Sequence, residues 1–320
     1  MKELLNESVL TVQFRYSYTP EDARTSEQRH PRLMAELGML ASDIICLQEV
    51  GEAYLPLLSA DLAERGYAGQ FYQKTMGTLE GLVTFYRKTE FDCLAVEKIS
   101  FNEMLADVVE VAGLDHAVAA GCERDQVFLA MRLKHLRTDR MLTICNVHTI
   151  WENFSQPDVT TLQVALALAR LVKMADSSPY IMAGDFNSRP HMPAYALLAN
   201  GQLGDDHKQE LAEAASTTAD GKSLFELLEQ FYCHCSPDLA SSYVMVKGEE
   251  PSVTSYDDYD GKHPSDFCLD YIWYTKDMRE ANCVLDTTIK PTSRIPNNVF
   301  PSDHLSLKST FSFIVHSSCY

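Results

Sequence analysis

The sequence predicts an α/β fold of layered sheets and helices, and three observations carry that reading. Apolar strand-like runs alternate with helical periodicities in two strand–helix–strand units, at residues 8–47 and 141–183, a pattern that favours a parallel or mixed sheet. The 320 residues are 46% hydrophobic and 22% charged, with 14 Gly and 13 Pro, a globular composition sufficient for one large domain or two small ones. Several of the apolar runs also end in a short polar or ionisable side chain.

Taken in order, residues 8–15 (SVLTVQFR) read as a first strand, rich in β-branched and aromatic residues. A polar connection with Pro20 leads to Thr25 and Ser26, either of which can cap a helix over 29–40, where Leu33, Met34, Leu37 and Leu40 recur at helical spacing. Residues 44–47 form a short apolar strand that ends in Gln48, Glu49 and Val50. A helix over 54–65 stops at Gly66, and strands at 70–74 and 81–87 flank a turn containing Gly77. Residues 88–126 show no clean period; 101–111 look helical and 112–125 look like a surface excursion. Strands at 127–133 and 141–147 surround a basic tip, and the clearest helix, 160–175, presents Leu162, Val164, Leu168 and Leu171 on a broad apolar face. Pro179 ends it, and the strand at 180–183 runs directly into Gly184-Asp185-Phe186-Asn187-Ser188. A short helix over 191–200 follows, then an acidic insertion at 202–222 with a helix near 207–215, and another helix over 224–233. Residues 241–246 read as a short strand, 251–264 as loop, 267–274 as a strand, and the last strand extends to about residue 315.

The formal charge of -18 and the pI near 4.9 argue against broad electrostatic binding to duplex DNA or RNA. A small or single-stranded phosphate substrate stays compatible, because a divalent cation can supply the positive charge the protein lacks. The nine cysteines are an odd number set mostly among apolar neighbours, and Cys233 with Cys235 has no second pair at zinc spacing, so reduced thiols in a reducing compartment are expected. Residues 1–7 have neither a signal core nor a transit-peptide composition, and no apolar run approaches a membrane span. The expected location is the cytoplasm or nucleus, with mitochondria requiring a longer precursor.

Asp185 and Asn187 are the first candidates for chemistry. At an extended strand end, i and i+2 share a face, so a carboxylate and an amide there could deprotonate and position a water. An Asx-type turn explains the same residues without function. Glu49 and His148 each close an apolar run; the first could bind a cation and the second a phosphate, or they could be an ordinary strand terminus and a capped histidine. Asp270 stands among the apolar residues of its strand, and a charge there needs a partner. Asp303-His304 suggests one: Asp270 accepting from the His304 ring, which fixes the tautomer and raises the imidazole's basicity.

The ordered set Leu47-Gln48-Glu49-Val50, Asn146-Val147-His148, Gly184-Asp185-Phe186-Asn187-Ser188, Leu269-Asp270-Tyr271-Ile272 and Ser302-Asp303-His304 resembles the endonuclease/exonuclease/phosphatase superfamily. The stretches at 81–88 and 301–307 are similar to its branch of poly(A)-specific deadenylases, nocturnin, Angel proteins and the 2′-phosphodiesterase, without the leucine-rich repeats that precede some deadenylases. The resemblance implies a DNase I-like four-layer α/β sandwich, with residues 1–320 a single catalytic domain carrying surface insertions near 102–126 and 202–222. It implies Mg²⁺, with Mn²⁺ as a substitute, held by Glu49 and, directly or through water, by Asp303, with Gln13 as a further candidate. It implies Asp185 as the water-activating base beside Asn187, His148 and His304 on the scissile phosphate, and Asp270 orienting His304. The implied substrate is an RNA 3′ end or short oligonucleotide, cleaved as by a 3′-exoribonuclease (deadenylase) or a 2′,5′-phosphodiesterase; a phosphatase acting on 2′,3′-cyclic RNA ends or a nucleotide 2′-phosphate is the alternative.

Two departures from the family pattern stand out. Gln13 occupies the place of an expected asparagine at the end of the first strand, which leaves a catalytically weak RNA- or partner-binding protein as a further alternative. Trp151 is followed by Glu152-Asn153 where deadenylases carry a proline. The adenine-stacking aromatic has no clear equivalent; Tyr256, Tyr259 and Phe267 are its candidates.

Overall fold

A computed structural model describes residues 18–113, 117–152, 154–214, 239–257, 265–276, 278–281 and 294–313. The strand expected at 8–15, with Gln13, and the helix expected at 224–233 lie outside them, as does Tyr259.

The elements in chain order are α1 (Ser26–Leu40), β1 (Ile44–Gly51), α2 (Leu55–Glu64), β2 (Tyr67–Gln73), β3 (Glu80–Arg87), β4 (Phe91–Ser100), α3 (Phe101–Ala112), α4 (Ala117–Ala120), β5 (Val127–His135), β6 (Arg140–His148), α5 (Pro157–Ala175), β7 (Tyr180–Asp185), α6 (Pro193–Asn200), α7 (Asp205–Ala214), β8 (Leu239–Ser241), α8 (Ser242–Lys247), β9 (Ser255–Asp257), β10 (Ser265–Phe267), β11 (Asp270–Thr275), β12 (Met278–Ala281) and β13 (Thr310–Phe313). Two main sheets result. One runs β1-β3-β2, the other β4-β5-β6-β7-β11-β8, with β9–β10 and β12–β13 as separate ribbons. In the larger sheet β6 and β7 pair in parallel through the crossover helix α5, while β4–β5, β5–β6, β7–β11 and β11–β8 are antiparallel.

Period-2 side chains make the layers. On β5 and β6, Met131, Leu133, Leu142 and Ile144 face inward between the sheets, packed with Ile181 and Tyr274 and against Ile44, Cys46 and Tyr86 of the smaller sheet. The alternate residues, Phe128, Ala130, Cys145, Val147, Met182, Tyr271 and Trp273, face the other way, onto α3, α5 and α6. On the smaller sheet Ile45, Val83 and Phe85 pack under α1 and α2 through Leu33, Met34, Leu37, Leu58 and Leu62. The order is helices, sheet, sheet, helices, as the α/β sandwich reading requires.

Local signals explain most boundaries. The helix α1 starts at a capping box in which the Thr25 side chain accepts from Gln28 N and the Gln28 side chain from Thr25 N. Ser100 and Glu103 do the same for α3. Three expectations are corrected. Residues 102–126 are not a surface insertion: Met104, Leu105, Val109, Ala119 and Cys122 are buried in the core beneath α5. Residues 242–247 are a helix rather than a strand, closed by Gly248 at φ 83°, and the 251–264 loop contains β9. The helix α7, within the 202–222 segment, buries Leu211 completely and packs on α5 and α6; residues 215–222 lie outside the described residues.

Candidate active site

The ends of β1, β6, β7 and β11 converge at one edge of the sandwich. Asn146, fully buried, ties the sheets together there. Its Nδ2 donates to Leu47 O (3.1 Å) and Val83 O (3.0 Å), and its Oδ1 accepts from Gln48 Nε2 at 2.7 Å. The next residue on β1, Glu49, sits in a bulge where the register with β3 shifts between Leu47 and Val50, at φ 55°. A bulge re-aims the side chain it carries, and Glu49 is brought across to the larger sheet, its Oε1 3.5 Å from His148 Nε2. Both side chains are almost wholly buried.

The strand β7 ends at Asp185 because Gly184 lets it run close to β6. Gly184 has φ 142°, and a Cβ there would lie 2.0 Å from Val147 O. Beyond it the chain does not stay extended. Asn187 adopts φ 43°, and its N–H donates to Asp185 Oδ1 at 2.8 Å. The expectation that Asp185 and Asn187 share a face of an extended strand is therefore replaced by an Asx turn, which holds one carboxylate oxygen in place. The other oxygen, Oδ2, lies between two imidazoles, 3.8 Å from His148 Nε2 and 3.9 Å from His304 Nε2. Asn187 Nδ2 donates to Thr149 O at 2.8 Å, while its Oδ1 is buried with no partner among the described residues.

His304 Nδ1 is 2.8 Å from Asp270 Oδ2, the pairing read from an isolated aspartate on an apolar strand. That same Oδ2 accepts from Thr254 Oγ1 at 2.6 Å, and Thr254 Oγ1 in turn accepts from the backbone N–H groups of Leu269 and Asp270. Burial pulls the His304 imidazole down, but the Asp270 charge and hydrogen bond, with Asp303 and Asp185 beyond, outweigh it and raise the pKa to about 9. The oxygens and nitrogen of Asp185, Asp270 and His304 lie within 4.8 Å of one another. The Asp270–His304 contact within that group is a hydrogen bond and needs no metal to explain it. Asp303 is buried, and its carbonyl accepts from Tyr256 N at 2.9 Å.

The structure thus brings Glu49, His148, Asp185, Asn187, Asp270 and His304 together, and places Asp303 beside His304 in the chain. Phe267 lies on β10, packed on Phe154 with ring centroids 5.0 Å apart; Tyr256 pairs with Asp266 on the same ribbon. Four residues escaped the sequence reading. Thr254 and Asn146 look like any loop threonine and strand asparagine; their roles depend on contacts 15 or more residues away. Lys74 and Glu80 form a buried pair (2.6 Å) at the turn between β2 and β3. Their only signal was a Lys and a Glu flanking a hairpin.

Two packed sheets thus share one edge at which carboxylates and imidazoles gather. The chain belongs to the endonuclease/exonuclease/phosphatase family, whose model matches residues 15–304. Among curated relatives, the CCR4-Not complex 3′-5′-exoribonuclease subunit Ccr4 of Mycosarcoma maydis is 28% identical, covering 92% of this chain and 47% of the relative. Its counterpart in Aspergillus oryzae is 26% identical over 94% of this chain and 45% of the relative. The chain therefore spans about half the length of the curated relatives it matches. Among solved structures, ANGEL2, a 2′,3′-cyclic phosphatase, in complex with adenosine-2′,3′-vanadate aligns with a TM-score of 0.69 at 20% identity, covering 93% of this chain and 89% of that one. The human Nocturnin catalytic domain aligns with a TM-score of 0.63 at 21% identity, covering 91% and 88%. These structural likenesses establish the two-sheet fold.

Proposed function

We propose that the protein is a divalent-metal-dependent phosphodiesterase that hydrolyses RNA 3′ ends or short oligoadenylates, joined 3′,5′ or 2′,5′. The observation that carries this reading is the setting of Asp185: one oxygen anchored by the Asn187 N–H, the other between two imidazole Nε2 atoms. A base held that way can take a proton from water without reorienting. Asn187 Oδ1, buried with no partner among the described residues, is suited to accept from the same water. His304, kept protonated by Asp270, and His148 offer donors to phosphate oxygens as charge develops on them. The Asp270–Thr254 hydrogen bond holds the pair in register.

The donor set also fits a hard cation. Glu49, Asp185 and Asp303 are each at most 4% exposed, and carboxylate oxygens at a buried strand edge are the hard donors that suit Mg²⁺ or Mn²⁺. Glu49 would hold the ion, with Asp303 on the same side directly or through water, and the ion would supply neutralisation of phosphate charge. Among the described cysteines, Cys46, Cys93, Cys122, Cys145 and Cys268 are free thiols, which supports a reducing compartment such as the cytoplasm.

The test is a panel: purified protein and Mg²⁺ with matched 3′,5′-oligoadenylate, 2′,5′-oligoadenylate, 2′,3′-cyclic-phosphate-ended RNA and NADP. Release of adenylate from either oligoadenylate is expected. Asp185→Ala should lower that rate by about 10²–10⁴-fold with the melting temperature preserved. Turnover close to wild type in that variant would overturn the mechanism. Products from the cyclic end or NADP alone would replace the phosphodiesterase with a phosphatase.

A further inference from the structure

Three of the strand ends that carry the site continue into one aromatic cluster. Trp151 follows His148 by three residues, and Phe267 precedes Asp270 by three. Arg189 follows Asn187 by two, so its Cα lies within about 7 Å of Asn187's. The Arg189 guanidinium packs into the corner made by two rings, its Cζ 3.9 Å from the Phe154 centroid and 4.2 Å from that of Phe267. Phe154 and Phe267 meet edge to face, and Trp151 packs on Phe154 with centroids 4.8 Å apart.

With their centroids only 5.0 Å apart and their planes nearly perpendicular, the two rings lie to one side of the guanidinium, fixing its position and leaving its opposite side uncovered by either ring. Among the described residues no carboxylate stands within the 4.0 Å ion-pair distance of Arg189, although Glu249, Glu250 and Asp266 line the same cavity of about 570 Å³ beside it. Arg189 Nε is buried and has no acceptor among the described residues. That Nε is closed to solvent, so an anion would be met by the two terminal guanidinium nitrogens instead. In a chain of net charge -18, an arginine without a carboxylate partner among the described residues, two residues from Asn187, is a selective contact for one anionic group.

We propose that Arg189, packed against Phe154 and Phe267, binds a phosphate of the substrate next to the scissile one and so sets a preference for substrates carrying it. The proposal rests on the phosphodiesterase reading and extends it to substrate selection. Arg189 is a binding residue here; it takes no part in bond breaking. The cavity beside it, walled in part by Tyr195 and Phe267, leaves room for the nucleoside that links the two phosphates.

Three adenylyl dinucleotides of the cleaved linkage separate the outcomes: ApA, which has only the scissile phosphate, and pApA and ApAp, which each add one on a different side. Arg189→Met keeps the stem packing and removes the charge. It should raise KM for one of the phosphate-bearing dinucleotides by about ten- to a hundredfold, leave kcat within about twofold, and leave ApA unchanged. Arg189→Lys should recover part of the loss, because charge survives without the planar fork. Binding of the same dinucleotides to Asp185→Ala protein, with and without Arg189→Met, should show the same phosphate-dependent difference by calorimetry. If Arg189 only pins the rim, Arg189→Met lowers the melting temperature and changes all three substrates equally, and the proposal is overturned. Equal affinity for ApA, pApA and ApAp whatever stands at 189 also overturns it. Wild-type protein that cleaves none of the three defeats the phosphodiesterase reading, while the binding comparison still decides the Arg189 contact on its own.

Discussion

Lys74 shows how a single side chain supports the site without touching its reacting atoms. Its Nζ lies 2.6 Å from Glu80 Oε1, with the two side chains 7% and 12% exposed. Burial pulls the ammonium pKa down, but Glu49 and then Glu80 outweigh it and the net direction is up. Lys74 therefore offsets negative charge on the Glu49 side of the ring as well as pairing with Glu80. Lys74→Met is expected to leave Glu80 buried and uncompensated and to destabilise the fold by about 3–5 kcal/mol, the cost of breaking a buried pair from one side. Adding Glu80→Gln should recover most of it. Urea unfolding of the single and double variants reads both numbers; a Lys74→Met protein as stable as wild type would show that water reaches the pair. The same scale resolves the two sequence readings of Asp185 and Asn187. The turn and the catalytic pair are one structure, since the Asx hydrogen bond is what leaves Asp185 Oδ2 facing the histidines.

Among the elements, β7 is the one whose exact path matters most. It pairs with β6 in parallel on one side and β11 in antiparallel on the other, and so sets Asp185 opposite both His148 and Asp270. That register depends on Gly184, where an added Cβ would strike Val147 O and φ is 142°. Gly184→Ala should cost about 3–5 kcal/mol, from a left-handed backbone and a steric clash together, and should lower turnover more than the stability loss alone explains. A shift in the urea midpoint no larger than that of an exposed substitution would mean β7 can slide away from β6. Elements with strong periods were legible in the sequence: β5, β6, α5 and β7 fall within a few residues of their expected places. The misses share a physical cause. The strand β4 is at the sheet edge and mostly solvated, so no apolar alternation marks it. Residues 242–247 (SYVMVK) have strand-like composition, yet they fold as α8 with Ser242 and Tyr243 buried and Gly248 closing the turn; packing overrode propensity.

For the whole molecule, much of the candidate site was legible because Glu49, His148 and Asp185 each close an apolar run, and strand ends of a layered α/β fold gather at one edge. What could not be read was which oxygen faces which nitrogen, since Glu49 reaches His148 from the other sheet through a bulge, and Asp270 is held by a threonine 16 residues earlier. The gathering has an electrostatic consequence. A chain of net charge -18 places Glu49, Asp185 and Asp303, all almost wholly buried, at one edge, where Lys74 and His304 offset part of their charge. A divalent cation bound there should stabilise the fold by mass action, about 2.7 kcal/mol at a hundredfold excess over Kd, and the melting temperature should climb with the logarithm of Mg²⁺ concentration. Sodium chloride at matched ionic strength should give a smaller, saturating rise, because it only screens the exposed charges. Glu49→Gln separates binding from screening: the Mg²⁺ concentration giving half the shift should rise at least about tenfold, while the sodium chloride response stays as in the wild type. Identical magnesium and sodium curves for the wild type would remove the cation from the site, and with it the distinction between an active phosphodiesterase and a protein that only binds RNA or a partner.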